Sequence, residues 1–159
     1  MPKVPLTALE KAMRLLTVRA LSEAELTKKL RDAGFLAEEI DEAVDVCRKH
    51  RYIDDSMLAE DYTNLLRMRN TGSRLIKQKL IRRGLGSEIV DQQLPEDSTE
   101  SAEREAALRA LDYKWRLLSR ETDLRKKREK AFRYLAGRGF PPGLIFELIS
   151  DKVSSDGDC

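Results

Sequence analysis

Residues Leu30–Ile40 read LRDAGFLAEEI, with an apolar residue four positions before Gly34 and another six positions after it. The same frame returns as Leu80–Val90, LIRRGLGSEIV, around Gly84, and as Leu135–Ile145, LAGRGFPPGLI, around Gly139. Ten positions after each glycine stands a further apolar residue: Val44, Leu94 and Ile149. A glycine after a helical apolar run is a stop signal, because glycine takes the left-handed conformation that closes a helix. Each frame therefore reads as helix, glycine stop, helix.

Working outward, each frame is preceded by one more helical stripe. Leu9, Met13 and Leu16 form the first, Leu58, Tyr62, Leu65 and Leu66 the second, and Leu108, Leu111, Trp115 and Leu118 the third. Ser22 and Glu25 have the spacing of a capping box for the helix carrying Leu26 and Leu30. No segment alternates with the two-residue period of a strand. The sequence predicts an all-α fold of three tandem three-helix repeats, at residues 7–53, 54–95 and 98–153, with 154–159 as a flexible tail. The polar run PEDSTES, Pro95–Ser101, reads as a connector. Three-helix units bury little alone, so stacked repeats imply an elongated, curved array. Its radius of gyration should exceed the roughly 15 Å of a compact chain of this length.

Composition narrows the function classes. The chain has 159 residues, 36% of them charged and 6% aromatic. No apolar run approaches the roughly 18 residues of a membrane span, and the N-terminus has no hydrophobic leader, which predicts a cytoplasmic protein without membrane contact. Cys47 and Cys159 make no disulfide framework, and with His50 they make no zinc pattern. Cys47 reads as core.

The stretch Arg51–Tyr62, RYIDDSMLAEDY, raises the question of a carboxylate metal site. A helical site needs acidic residues three or four apart on one face, whereas Asp54 and Asp55 precede the helix and Glu60 and Asp61 lie five to seven residues on. A helix N-cap is the simpler role, assigned here to Asp55. No nucleophile and base pair, Walker loop or dinucleotide fingerprint occurs. The reading is a non-enzyme without catalytic residues, cofactor or metal.

Charge is distributed unevenly. From Tyr62 to Ser87 there are seven basic side chains, Arg67, Arg69, Arg74, Lys77, Lys79, Arg82 and Arg83, and no acidic one. From Lys114 to Arg138 there are ten, Arg125, Lys126, Lys127, Arg128 and Arg133 among them, against Glu121, Asp123 and Glu129. Glu38, Glu39, Asp41, Glu42 and Asp45 form an acidic run, and the third helix of every repeat, drawn at 36–47, 85–94 and 140–151, has no Lys or Arg. The second helices of repeats two and three thus carry the positive charge and are the candidate binding surface. For any single lysine a solvated helix face is the plainer reading.

The run RYIDDSMLAEDYTNLLRMRNTGSRLIKQKLIRRGL, with LTVRALSEAELTKKLRDAGF before it and RKKREKAFRYLAGRGF after it, resembles the RecX family of bacterial recombinase regulators. Its most specific part is Tyr52, Ile53, Asp54, Asp55 and Ala59, followed by Gly72, Leu80 and Gly84. Arg19, Ser22, Glu25, Leu26, Lys29 and Leu30 match a second family pattern. Arg51 departs from it, standing where the family usually has glycine. The resemblance implies a curved array of three-helix repeats that lies in the groove of a RecA filament on single-stranded DNA, and the chain itself is expected to be a monomer. There it would suppress ATP hydrolysis, strand exchange, co-protease activity and filament growth. Single-stranded DNA would be met through the filament or weakly alone.

A rival reading is a helix-turn-helix DNA-binding protein, since Leu30, Gly34 and Ile40 have that spacing. Electrostatics oppose it: the third helix would enter the major groove with carboxylates and no arginine to read guanine. Non-specific phosphate contact by the second helices is the form of DNA binding this charge pattern allows. Tyr113 and Trp115 could stack on bases, but Trp115 shares its face with Leu108, Leu111 and Leu118 and reads as core.

Overall fold

The computed structural model describes residues 4–157, and for 96–99 the backbone alone. Among the described residues there are nine helices and no strand: α1 Ala8–Val18, α2 Glu23–Asp32, α3 Ala37–Lys49, α4 Asp55–Met68, α5 Ser73–Arg82, α6 Ser87–Gln93, α7 Glu96–Leu117, α8 Leu124–Gly137 and α9 Pro142–Gly157.

The three glycines end their helices by one device. Gly34, Gly84 and Gly139 have φ of +91°, +74° and +89°. The amide after each reaches back to the buried leucine of its frame, Phe35 to Leu30, Leu85 to Leu80 and Phe140 to Leu135, all at 3.3 Å. These left-handed turns satisfy carbonyls that the helix end would otherwise orphan. Leu30, Leu80, Leu135 and Ile145 are fully buried and Ile40, Val44, Val90 and Ile149 nearly so, while Leu94 is half-buried. The same turn closes α3, where Tyr52 N–H donates to the Cys47 carbonyl at 2.8 Å and Arg51 takes φ +56°. Arginine thus occupies a left-handed position that glycine would take at lower cost.

Packing divides the chain into two compact units. Residues through Tyr62 together with Leu80–Val90 form the first, and Thr63–Lys79 together with the chain from Asp91 onward form the second. The first is built on α1, α2 and α3, whose core holds Ala12, Leu26, Leu30, Ile40, Val44 and Cys47. Burial pushes the Cys47 thiol up from its ordinary pKa of 9.0, which keeps it protonated and inert. The second is built on α7, α8 and α9 around Ala107, Leu111, Trp115, Leu135, Phe140 and Ile145. Trp115 is core, as its stripe predicts.

Four boundaries differ from expectation. The polar run at 95–101 is not a connector, since α7 starts at Glu96 with Pro95 as its N-cap residue. Proline before a helix gives up no bond that the helix needs. The tail drawn at 154–159 is helical through Gly157, and residues 158 and 159 lie outside the described residues. What holds it is Trp115, whose Nε1–H donates to Asp156 at 2.6 Å. The third helices of the first and last repeats also run further than drawn, to Lys49 and Gly157. Their ends therefore include Arg48 and Lys49 on α3 and Lys152 on α9, paired with Glu23 and Asp45, with Asp45, and with Asp112 respectively.

Candidate functional site

Helix α5 shows how fold and surface are divided on one element. Ile76 and Leu80 point inward and are fully buried. At its start the Ser73 N–H donates to Glu103 at 2.9 Å, and Ile76 N–H bonds the Gly72 carbonyl at 3.0 Å. The outward positions are Arg74, Lys77, Gln78, Ile81 and Arg82, all exposed. Their spacing of three or four residues puts them on one stripe. Lys77 lies 3.6 Å from Asp91, an exposed pair worth little. Among the described residues no carboxylate stands within ion-pair distance of Arg74, Lys79 or Arg82.

Arg83 leaves the set of candidate contacts. Its guanidinium is half-buried, pairs with Glu25 at 2.9 Å, donates to the Ala20 carbonyl at 2.9 Å and lies 5.1 Å from the centre of the Tyr62 ring. Burial opposes ionisation of Glu25, but the Arg83 hydrogen bond, the Ser22 backbone N–H and the charges of Arg83 and Arg19 outweigh it and hold its pKa below 4.5. Arg83 is therefore part of the scaffold that joins α2 to the end of α5. Arg67, at the end of α4, donates to the Gln93 carbonyl at 2.8 Å, whereas the Arg69 side chain is exposed.

On α8 the capping residue is Asp123, which accepts from the N–H groups of Arg125 and Lys126 at 2.9 and 3.3 Å. Arg125 and Arg133 both reach Glu129, at 3.3 and 4.0 Å, and Lys127 stands 4.2 Å from the centre of the Trp115 ring. Lys126 and Arg128 have no carboxylate within ion-pair distance among the described residues. Beside them lies a groove of about 400 Å³ between α8 and α9. Arg128 and Arg133 flank it, and exposed Phe146 meets Phe132 at 4.8 Å between ring centres.

The opening carboxylates have separate jobs. Asp54, not Asp55, caps α4, accepting the Met57 N–H at 3.0 Å. Asp55 accepts the Glu23 N–H at 2.9 Å and so satisfies a first-turn donor of α2, thirty-two residues earlier, beside the Ser22 cap. Among the described residues no three His, Cys, Asp or Glu side chains gather as metal ligands, and no helix is long and apolar enough to cross a membrane.

Of the candidates, Arg74, Lys77, Lys79 and Arg82 share α5, and Arg125, Lys126, Lys127, Arg128 and Arg133 share α8. Ile81 and Phe146, both more than half exposed, were missed by the charge pattern. The signal for Ile81 was its place off the Ile76–Leu80 face, among cations. Phe146 similarly falls beside Ile145 and Ile149 but outside their stripe.

Comparison with known proteins agrees with this architecture. Residues 8–47 match the first three-helix domain of RecX and residues 102–149 the third, together more than half of the chain. A protein named Regulatory protein RecX from Clostridium acetobutylicum is 31% identical over 156 residues, covering 95% of this chain and 71% of its own. One of the same name from Haemophilus influenzae (strain 86-028NP) is 30% identical, covering 89% and 92%. A crystal structure of RecX from Lactobacillus salivarius superposes with a TM-score of 0.75 at 21% identity, over 91% of this chain and 93% of that one, a likeness of fold. Helical repeats, matched domains and relatives over most of their length place this chain in the RecX family of regulatory proteins.

Proposed function

We propose that this chain is a negative regulator of RecA recombinase that binds as a monomer in the groove of the RecA filament on single-stranded DNA. Bound there it reduces ATP hydrolysis, strand exchange, co-protease activity and filament growth. The observation that carries this reading is the α5 stripe, in which exposed Ile81 sits among Arg74, Lys77 and Arg82, on a chain of a regulatory family. A phosphate backbone would use the cations but leave Ile81 in water. An acidic protein surface with an apolar recess uses both, and complementary charge adds speed and register to the encounter. The α8 face, with Lys126 and Arg128 lacking acidic partners among the described residues, offers a second region of the same sign.

The test is single-stranded-DNA-dependent ATP hydrolysis by the RecA of the same organism, measured with increasing amounts of this protein. Hydrolysis should fall as the protein is added. An unchanged rate at stoichiometric ratios removes the reading.

A further inference from the structure

The second unit contains a cleft of about 410 Å³ formed by the turn after α4, the C-terminal half of α7 and the end of α8. Its walls carry Arg69, Arg109, Arg116 and Arg138 together with Tyr113 and Tyr134. Among the described residues Asp112 is the one carboxylate in the lining, and Lys152 meets it at 2.9 Å. Arg109 donates to the Asn70 side chain at 2.9 Å and has Glu105 only at 3.9 Å. Arg116 donates to a backbone carbonyl, that of Asp112, and the Arg69 side chain has no acidic partner among the described residues. The cleft therefore has more cations than anions to answer them.

Its aromatic side is equally specific. Tyr113 is 52% exposed, and its ring centre lies 6.4 Å from that of Tyr134. Lys114 and Arg138 stand 5.3 and 5.7 Å from the Tyr134 centre, so the two tyrosines differ: Tyr134 is flanked by cations while Tyr113 is open. Arg138 is also fixed from below, donating to the carbonyls of Asn70, at 3.1 Å, and Arg69. It builds the cleft more than it offers a free contact. A bare anion would use the arginines but not an open tyrosine ring. A phosphate carrying a base uses both, the phosphate on guanidinium groups and the base on the phenol face.

We infer that this cleft binds a nucleotide unit, its phosphate held by Arg69 and Arg116 and its base stacked on Tyr113. Such a unit comes from a single-stranded polynucleotide or from a free nucleotide. The inference stands apart from the α5 and α8 faces and from any recombinase.

The experiment is fluorescence anisotropy of fluorescein-labelled oligothymidylate with the full chain alone, across a salt series, with thymidine 5′-phosphate and polyglutamate as competitors. The parent should bind. Tyr113→Ala should weaken binding about five- to hundredfold and Tyr113→Phe should restore it, as stacking requires. Replacing Arg69 and Arg116 by alanine should reduce the slope of log affinity against log salt by about 0.7, the loss of one phosphate contact on a single strand. Competition by thymidine 5′-phosphate at concentrations comparable to oligonucleotide phosphate identifies a free-nucleotide site, and its absence identifies a strand site; both sustain the inference. No binding of either nucleic ligand overturns it. So does Tyr113→Ala binding as the parent does, or polyglutamate displacing the oligonucleotide equally well from parent and Tyr113→Ala, since the surface would then be a plain anion attractor. Because no recombinase is present, these outcomes are independent of the ATPase titration.

Discussion

Asp55 is held where ionisation is unfavourable. Burial raises its pKa above the ordinary 3.8, the hydrogen bond from Glu23 N–H pulls it back, and the charges of Glu23, Asp54 and Glu25 push it up again. The native state thus binds the proton more tightly than the unfolded chain. Its contribution to stability is fully present below pH 3.8 and is lost as pH rises through the raised folded value. Glu25 acts in the opposite sense, contributing above pH 4.5 and losing that contribution as pH falls through its lowered value. Asp55→Asn keeps an oxygen for Glu23 but removes the titration. Its stability relative to the parent should therefore improve as pH rises from below 3.8 towards neutrality, read from urea midpoints. A difference independent of pH would show that Asp55 does not titrate in this window. At the glycines the expectation is graded. A Cβ on Gly34 meets nothing, whereas one on Gly84 would lie 2.5 Å from the Ala24 Cβ and one on Gly139 2.5 Å from the Leu75 backbone nitrogen. Gly34→Ala should cost about 1–2 kcal/mol for its left-handed φ alone, with Gly84→Ala and Gly139→Ala costing more in the same denaturation assay.

On helix α5 stability and the proposed recognition can be tested separately within three turns. Leu80→Ala removes a fully buried side chain and should cost roughly 2–5 kcal/mol, so folding and inhibition should fail together. Ile81, its neighbour, is 54% exposed. Ile81→Ala, and the pair Lys77→Glu with Arg82→Glu, should each shift stability by only about half a kcal/mol per site. Helicity and melting by circular dichroism should survive, while inhibition of RecA falls, most clearly at low salt where charge is least screened. Unaltered inhibition at low salt by the double reversal would make the stripe a solvated surface.

For the whole molecule, the two compact units set how stability is shared. Leu80–Val90 belong to the first unit, although Thr63–Lys79 before them belong to the second. Compact units tend to open as separate cooperative blocks, which native-state hydrogen exchange resolves. Leu26→Ala, in the first core, should lower protection in α2, α3 and residues 80–90 by about 2–5 kcal/mol and disturb α8 and α9 less. An equal loss everywhere would mean one cooperative block.

Much of this architecture is local, and so was readable. Helical period, the Ser22–Glu25 capping box, the burial of Leu30, Leu80 and Leu135 and the left-handed turns at Gly34, Gly84 and Gly139 each depend on residues within a few positions of one another. Backbone geometry ties such residues together wherever the helix later packs. Decisions between segments were not readable. Adjacent aspartates look interchangeable as caps until α2 arrives beside Asp55 and leaves α4 to Asp54. Arg82 and Arg83 are equal in a charge count, yet Glu25, fifty-eight residues away, takes Arg83 out of the surface and leaves Arg82 exposed. Arg69, Tyr113 and Arg138 become one cleft only because three distant segments meet. A side chain's partner across the fold depends on where packing brings another segment, and no short sequence window contains both halves of that contact.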